Sequence, residues 1–155
     1  MKGRALLLAL AILPGCFAAK KLPGIGDSIC GALDGPTKYV LGTIAPALSS
    51  LVGVLPPEVA ARYHSALDAL HVANSLLSGL CSGGASEEAR ARAAEDGAEA
   101  VRKLARLYLE QHQAGTRALP GPQDPEAVLA AERLIAEMDV LQARLALDRA
   151  KRAAK

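Results

Sequence analysis

The sequence predicts an all-α protein, an up-down bundle of three or four helices that follows an N-terminal signal peptide. Three observations carry that prediction. The 155-residue chain is 51% apolar, yet it holds one phenylalanine, three tyrosines and no tryptophan, so its core is built from alanine and branched aliphatic side chains, a composition suited to helices. Three long stretches place apolar residues three and four positions apart, the period of a helix with one buried face. Between them lies glycine- and proline-rich punctuation, which ends one helix and starts the next. Connections this short favour antiparallel neighbours.

The first element is an address. Lys2 and Arg4 give a positive start, residues 5–13 an uninterrupted apolar run, and Pro14-Gly15 a break before small residues, which in that order make an export signal over residues 1–18. The apolar run is about nine residues long where a membrane-spanning helix needs about 20. Of the 18 basic residues, Lys2 and Arg4 leave with the signal, so 16 remain against 16 acidic ones. A neutral chain without aromatic stacking platforms is not built to bind nucleic acid.

The run Leu13-Pro14-Gly15-Cys16 resembles the lipobox of bacterial lipoproteins. Leu13, Gly15 and Cys16 fit that motif, and Pro14 departs from it. The resemblance implies that Cys16 is lipidated and becomes residue one of the mature chain. With Phe17 and not aspartate behind it, the resemblance also implies sorting to the outer membrane, with the protein facing the periplasm. The other cut lies after Ala18, with Cys16 and Ala18 as the small residues of the cleavage site. It starts the mature chain at residue 19 and releases a soluble periplasmic protein.

Either cut leaves Cys30 and Cys81 as the pair of cysteines in the exported chain, and in an oxidising compartment such a pair reads as one disulfide. Closing a loop of about 50 residues contributes on the order of 4 kcal/mol in the chain-entropy model.

Residues 19–37 carry Pro23, Pro36 and four glycines from Gly24 to Gly35, and read as a tether with at most a short helix near 25–33. The bundle proper is expected over residues 38–155. Its first stretch, 39–55, holds no charged residue and is interrupted by Pro46, with Gly42 and Gly53 lowering helix propensity. Thr43, Ser49 and Ser50 dilute it, and its length is at the bottom of the spanning range. It reads as a buried core helix kinked at Pro46; the alternative is a membrane-active protein that inserts this segment.

Pro56-Pro57-Glu58 is a helix start, with proline in the first turn and an acid near the positive end of the dipole. The helix runs to about residue 80, with Val59, Tyr63, Ala66, Leu67, Leu70, Ala73, Leu77 and Leu80 on one face. Val72 and Leu76 lie off that face, so the helix is expected to touch neighbours on two sides. Gly83-Gly84 is expected to end it through a left-handed turn.

Ser86 caps the next helix, with Glu87 and Glu88 in its first turn. Its pattern continues through Ala94, Ala98, Val101, Leu104, Ala105 and Tyr108 to about residue 113. Glu88 with Arg92 and Glu99 with Lys103 are acid-before-base pairs on the expected wet face. Gly97 is either a weak point or a place of close helix approach. Residues 115–123 form a loop. Asp124-Pro125-Glu126 starts a last helix to about residue 152, with Ala131, Leu134, Ile135, Met138, Leu141 and Leu145 as its apolar stripe. Arg144, Arg149, Lys151, Arg152 and Lys155 crowd its end, which complements the helix dipole.

A catalytic reading needs a nucleophile with a base, carboxylates in a cleft or a metal cage, and the chain supplies none of these. His64 and His71 are two turns apart on one helix and His112 is on the next, with no further ligand at a spacing that completes a cage. Cys81-Ser82-Gly83-Gly84 lacks the preceding glycine of a nucleophile elbow. Glu95-Asp96 and the pair Glu137 and Asp139 do not face each other on a helix. Gly24-Ile25-Gly26 lacks the strand-to-helix setting of a phosphate loop. No catalytic residue, cofactor or metal is expected.

The function predicted is therefore a non-catalytic binding or structural module of the bacterial envelope. Its partners are an envelope protein or a second copy of itself, and the membrane through the anchor at Cys16. A specialised version is an envelope modifier encoded by a phage or mobile element.

Overall fold

The computed structural model describes residues 25–114 and 125–154. The expected export signal with Cys16, and residues 19–24, lie outside the described residues, as do the loop expected over 115–123, Asp124 and Lys155. The elements are α1 (Ile25–Tyr39), a π-helical turn (Val40–Ile44), α2 (Ala45–Ser49), α3 (Pro57–Ser82), α4 (Glu87–Gln113) and α5 (Pro125–Ala153). The backbone stays helical at Tyr39 and Ala45, on either side of the π turn, so α1 and α2 form one interrupted rod. Four rods make the bundle.

The rods alternate in direction. Tyr63, at the start of α3, donates its hydroxyl hydrogen to the Ala45 carbonyl in α2, and Cys81, at the end of α3, is bonded to Cys30 in α1. Arg62 early in α3 meets Glu110 late in α4. Arg152 and Arg149 late in α5 pair with Glu87 and Glu95 early in α4, while Asp139 reaches Arg102 farther along. Rods consecutive in the chain are antiparallel, as connections of this length favour, while α1 and α4, which also pack on each other, run in the same direction.

The α4 helix packs on α3, on α5, on α1 and on the π turn. Ala94, Ala98, Val101, Leu104 and Ala105 in it are wholly buried. Alanines at these positions let the flanking helices come close, and Leu70, Leu104, Leu107 and Met138 fill the space between. Ser86 caps α4 by accepting the Ala89 N–H at 3.2 Å, one of the donors a helix start leaves unpaired.

The tether does not stop at a short helix. From Ile25 the chain is helical through Tyr39, and Ile29, Leu33, Thr37, Val40, Ile44, Leu48 and Leu51 are all buried. They fall three or four apart, straight through Pro36 and Pro46, and burial of that face against α3 and α4 outweighs the local cost of glycine and proline. The π turn explains how Pro46 fits. The Ala45 N–H bonds to the Val40 carbonyl, five residues back, and this wider turn places Pro46 in the first turn of α2, where a missing N–H costs little. The uncharged stretch is thus a core helix broken ahead of Pro46, but only as far as Ser49: residues 50–54 are turns, and Val54 in them is 68% exposed.

The end of α3 differs from its expectation. Gly83 is extended, at φ −134° and ψ 123°, and not left-handed. Ser82 donates its hydroxyl to the carbonyls of Ser78 and Gly79 at 2.8 and 3.1 Å, giving these last-turn carbonyls a side-chain partner.

Candidate interaction surface

The residues singled out for chemistry do not converge. His64 and His71 are exposed on α3 and His112 is half-buried near the end of α4. The ring of His64 lies against that of Tyr63 at 5.2 Å. Among the described residues no group of three histidine, cysteine, aspartate or glutamate side chains is placed to hold a metal ion, and no helix is long and apolar enough to cross a membrane. Cys30 and Cys81, by contrast, are joined in a disulfide with their α-carbons 6.4 Å apart. It fastens the glycine-rich first half of α1 to the last turn of α3.

The basic end of α5 is partly spent inside the molecule. Arg149 pairs with Glu95, and Arg152 with Glu87 at 3.5 Å. Both acids lie toward the start of α4, so these bridges link the positive end of α5 to the acidic start of its neighbour.

Where the molecule offers a surface is the outer side of the α3–α4 pair. Ala61, Ser65 and Ala69 in α3 are too small to fill the angle between the two helices, and a groove of about 850 Å³ runs there. Val72 and Leu76 stand in it, 60% and 50% exposed. Both lie off the main stripe, on the second side where the helix was expected to touch a neighbour. The bundle leaves that side open, because the rod formed by α1 and α2 packs on the face that carries Leu70, Ala73 and Leu77.

The far wall of the groove is α4, with Asp96, Glu99, Lys103, Arg106 and Glu110. Glu99, expected on a wet face, is only partly exposed and reaches toward α5. Burial pushes its carboxyl up, but the amide of Gln142, the guanidinium of Arg102 and the ammonium of Lys103 together outweigh that and hold it below the ordinary glutamate value. Arg102 is in turn held above its ordinary value by its bond to Asp139, against the opposing effect of burial and with the support of Glu99. This network fixes the α4–α5 side of the wall. On the groove side, Asp96 and Arg106 form no ion pair among the described residues. Ten positions apart, they lie about 15 Å from each other along the helix.

Such a wall and floor suit one mode of recognition, an amphipathic helix laid along the groove with its apolar side chains against Val72 and Leu76. Its charges would be placed to answer Asp96 and Arg106. No family model, no curated protein and no solved structure matches the chain.

Proposed function

We propose that this chain is an exported helical-bundle protein of the bacterial envelope, anchored through lipid on Cys16, that acts by binding an amphipathic helix of an envelope partner and not by catalysis. The observation that carries the reading is the open α3–α4 groove, with Val72 and Leu76 exposed above a floor of small side chains. The export signal and the lipobox-like Leu13-Pro14-Gly15-Cys16 support the location. So does the Cys30–Cys81 disulfide, since such bonds persist in oxidising compartments.

Two measurements test the two halves. The intact mass of the protein from a bacterium that expresses it reports cut, lipid and disulfide together. A chain that begins at Cys16 and carries acyl groups is the expected result, and one that keeps residues 1–15 overturns export. For the groove, a photo-activated cross-linker at Ala69 is expected to give one discrete adduct in the living cell. That adduct should be lost when Val72 and Leu76 are both replaced by glutamate. An adduct that survives this change removes the groove from the function.

A further inference from the structure

The last helix carries a second apolar series on the side away from the core. Leu129, Ala136, Val140, Ala143, Leu147 and Ala150 are all exposed, and Leu129, Val140 and Leu147 are 53%, 53% and 56% exposed. With Arg133 included, they recur at alternating steps of four and three from 129 to 150. That is the spacing of a coiled-coil seam, sustained for about three heptads. The core stripe through Ala131, Leu134, Met138, Leu141 and Leu145 lies on the opposite side of the same helix. An ordinary surface helix has one such face.

We propose that two copies of this chain pair through this face, with their α5 helices antiparallel. The order of side chains selects that arrangement. When Val140 sits against Ala143 of the second copy, the same register sets Leu147 against Ala136 and Arg133 against Ala150. Each larger side chain then meets an alanine, so the helices approach closely and fill the seam. A parallel in-register pair would instead stack Arg133 on Arg133 and leave Ala136 facing Ala136.

Charge selects the same direction. Glu137 and Arg144 flank the seam on one side, both exposed, and neither has an ion-pair partner among the described residues. They are seven positions apart, too far to meet each other within one helix. In the antiparallel pair Glu137 lies beside Arg144 of the second copy, and the two-fold axis repeats the contact. In a parallel pair Glu132 would lie beside Glu137 of the other chain, and Arg144 would meet Asp139, whose carboxylate is already engaged by Arg102. The inference rests on α5 alone and does not depend on the α3–α4 groove.

Sedimentation equilibrium of the full processed chain tests it, in density-matched detergent if the chain carries lipid. The wild type is expected to sediment as a dimer, and Val140→Glu with Leu147→Glu as a monomer of unchanged helicity. Glu137→Arg alone and Arg144→Glu alone should each weaken the dimer about tenfold, since two symmetric attractions become repulsions. The double variant with both reversals should restore it. That restoration is specific to self-pairing in this direction, since a different partner protein would not supply the swapped charges. A monomeric wild type overturns the proposal, as does a dimer indifferent to Val140→Glu with Leu147→Glu. A charge-swapped double variant as weak as either single one overturns the antiparallel arrangement proposed.

Discussion

Between Val40 and Leu55 the chain has no charge and breaks its helix at a π turn before Pro46, yet Val40, Ile44, Leu48 and Leu51 are buried. Along α5 the sequence is charged and strongly helix-forming, yet Leu129, Val140 and Leu147 stand more than half exposed. The apolar segment that invites a membrane reading is covered by its own bundle, and the ordinary-looking amphipathic helix keeps an uncovered apolar face. Mean apolarity is therefore a poor guide to which surface is free. What matters is whether a second helix lies over a given face, and in this bundle α4 and α3 lie over the first region while, among the described residues, no element lies over the outside of α5 or over Val72 and Leu76.

The sharpest way to break this contrast is to put a charge in each kind of place. Val40→Asp sets an unpaired carboxylate in a fully buried site and should cost about 4 kcal/mol or more in urea unfolding. Val72→Asp, on the open groove, should stay within about 0.5 kcal/mol. Equal losses from the two changes would show that the groove is covered.

The next effect in size is the disulfide. Replacing Cys30 and Cys81 together by serine should lower stability by about 2–4 kcal/mol. Amide exchange should rise most along α1, which has the weaker helix sequence. Uniform acceleration across α3, α4 and α5 would mean that the bond does not specifically hold down the first rod.

The smallest effect has the opposite sign. A methyl group on Gly97 would meet Ala73, Leu33 and Leu77 at 3.5–3.6 Å, which is ordinary contact. Gly97→Ala should therefore gain up to about 1 kcal/mol from helix propensity and packing. A loss would show that α1, α3 and α4 need to approach more closely there than these distances require.

Much of the bundle was legible because its signals are local. Pro56-Pro57-Glu58, Ser86 and Pro125-Glu126 mark helix starts, and the stripes of α3, α4 and α5 read directly as their buried faces. The helix through Pro36 was obscured because glycine and proline weigh heavily in a local reading, while the series Ile29, Leu33, Thr37, Val40 gains its free energy only when α3 and α4 are present to cover it. Val72 and Leu76 stood out as positions off the main stripe, but the groove beneath them could not be read. It exists because Ala61, Ser65 and Ala69 happen to face the angle between two helices. The outer series on α5 was hidden by the stronger inner stripe that it accompanies.

By itself the sequence determined the helical class, the start signals of α3, α4 and α5 and the Cys30–Cys81 pairing. These follow from composition and short-range spacing. Only the tertiary structure decided that the tether joins the core, that α3 ends in an extended glycine, and that Glu99 turns inward to Gln142 and Arg102. It alone decided which apolar faces stay open. The physical reason is that burial belongs to pairs of faces, and the chain's own code names each face but not its neighbour.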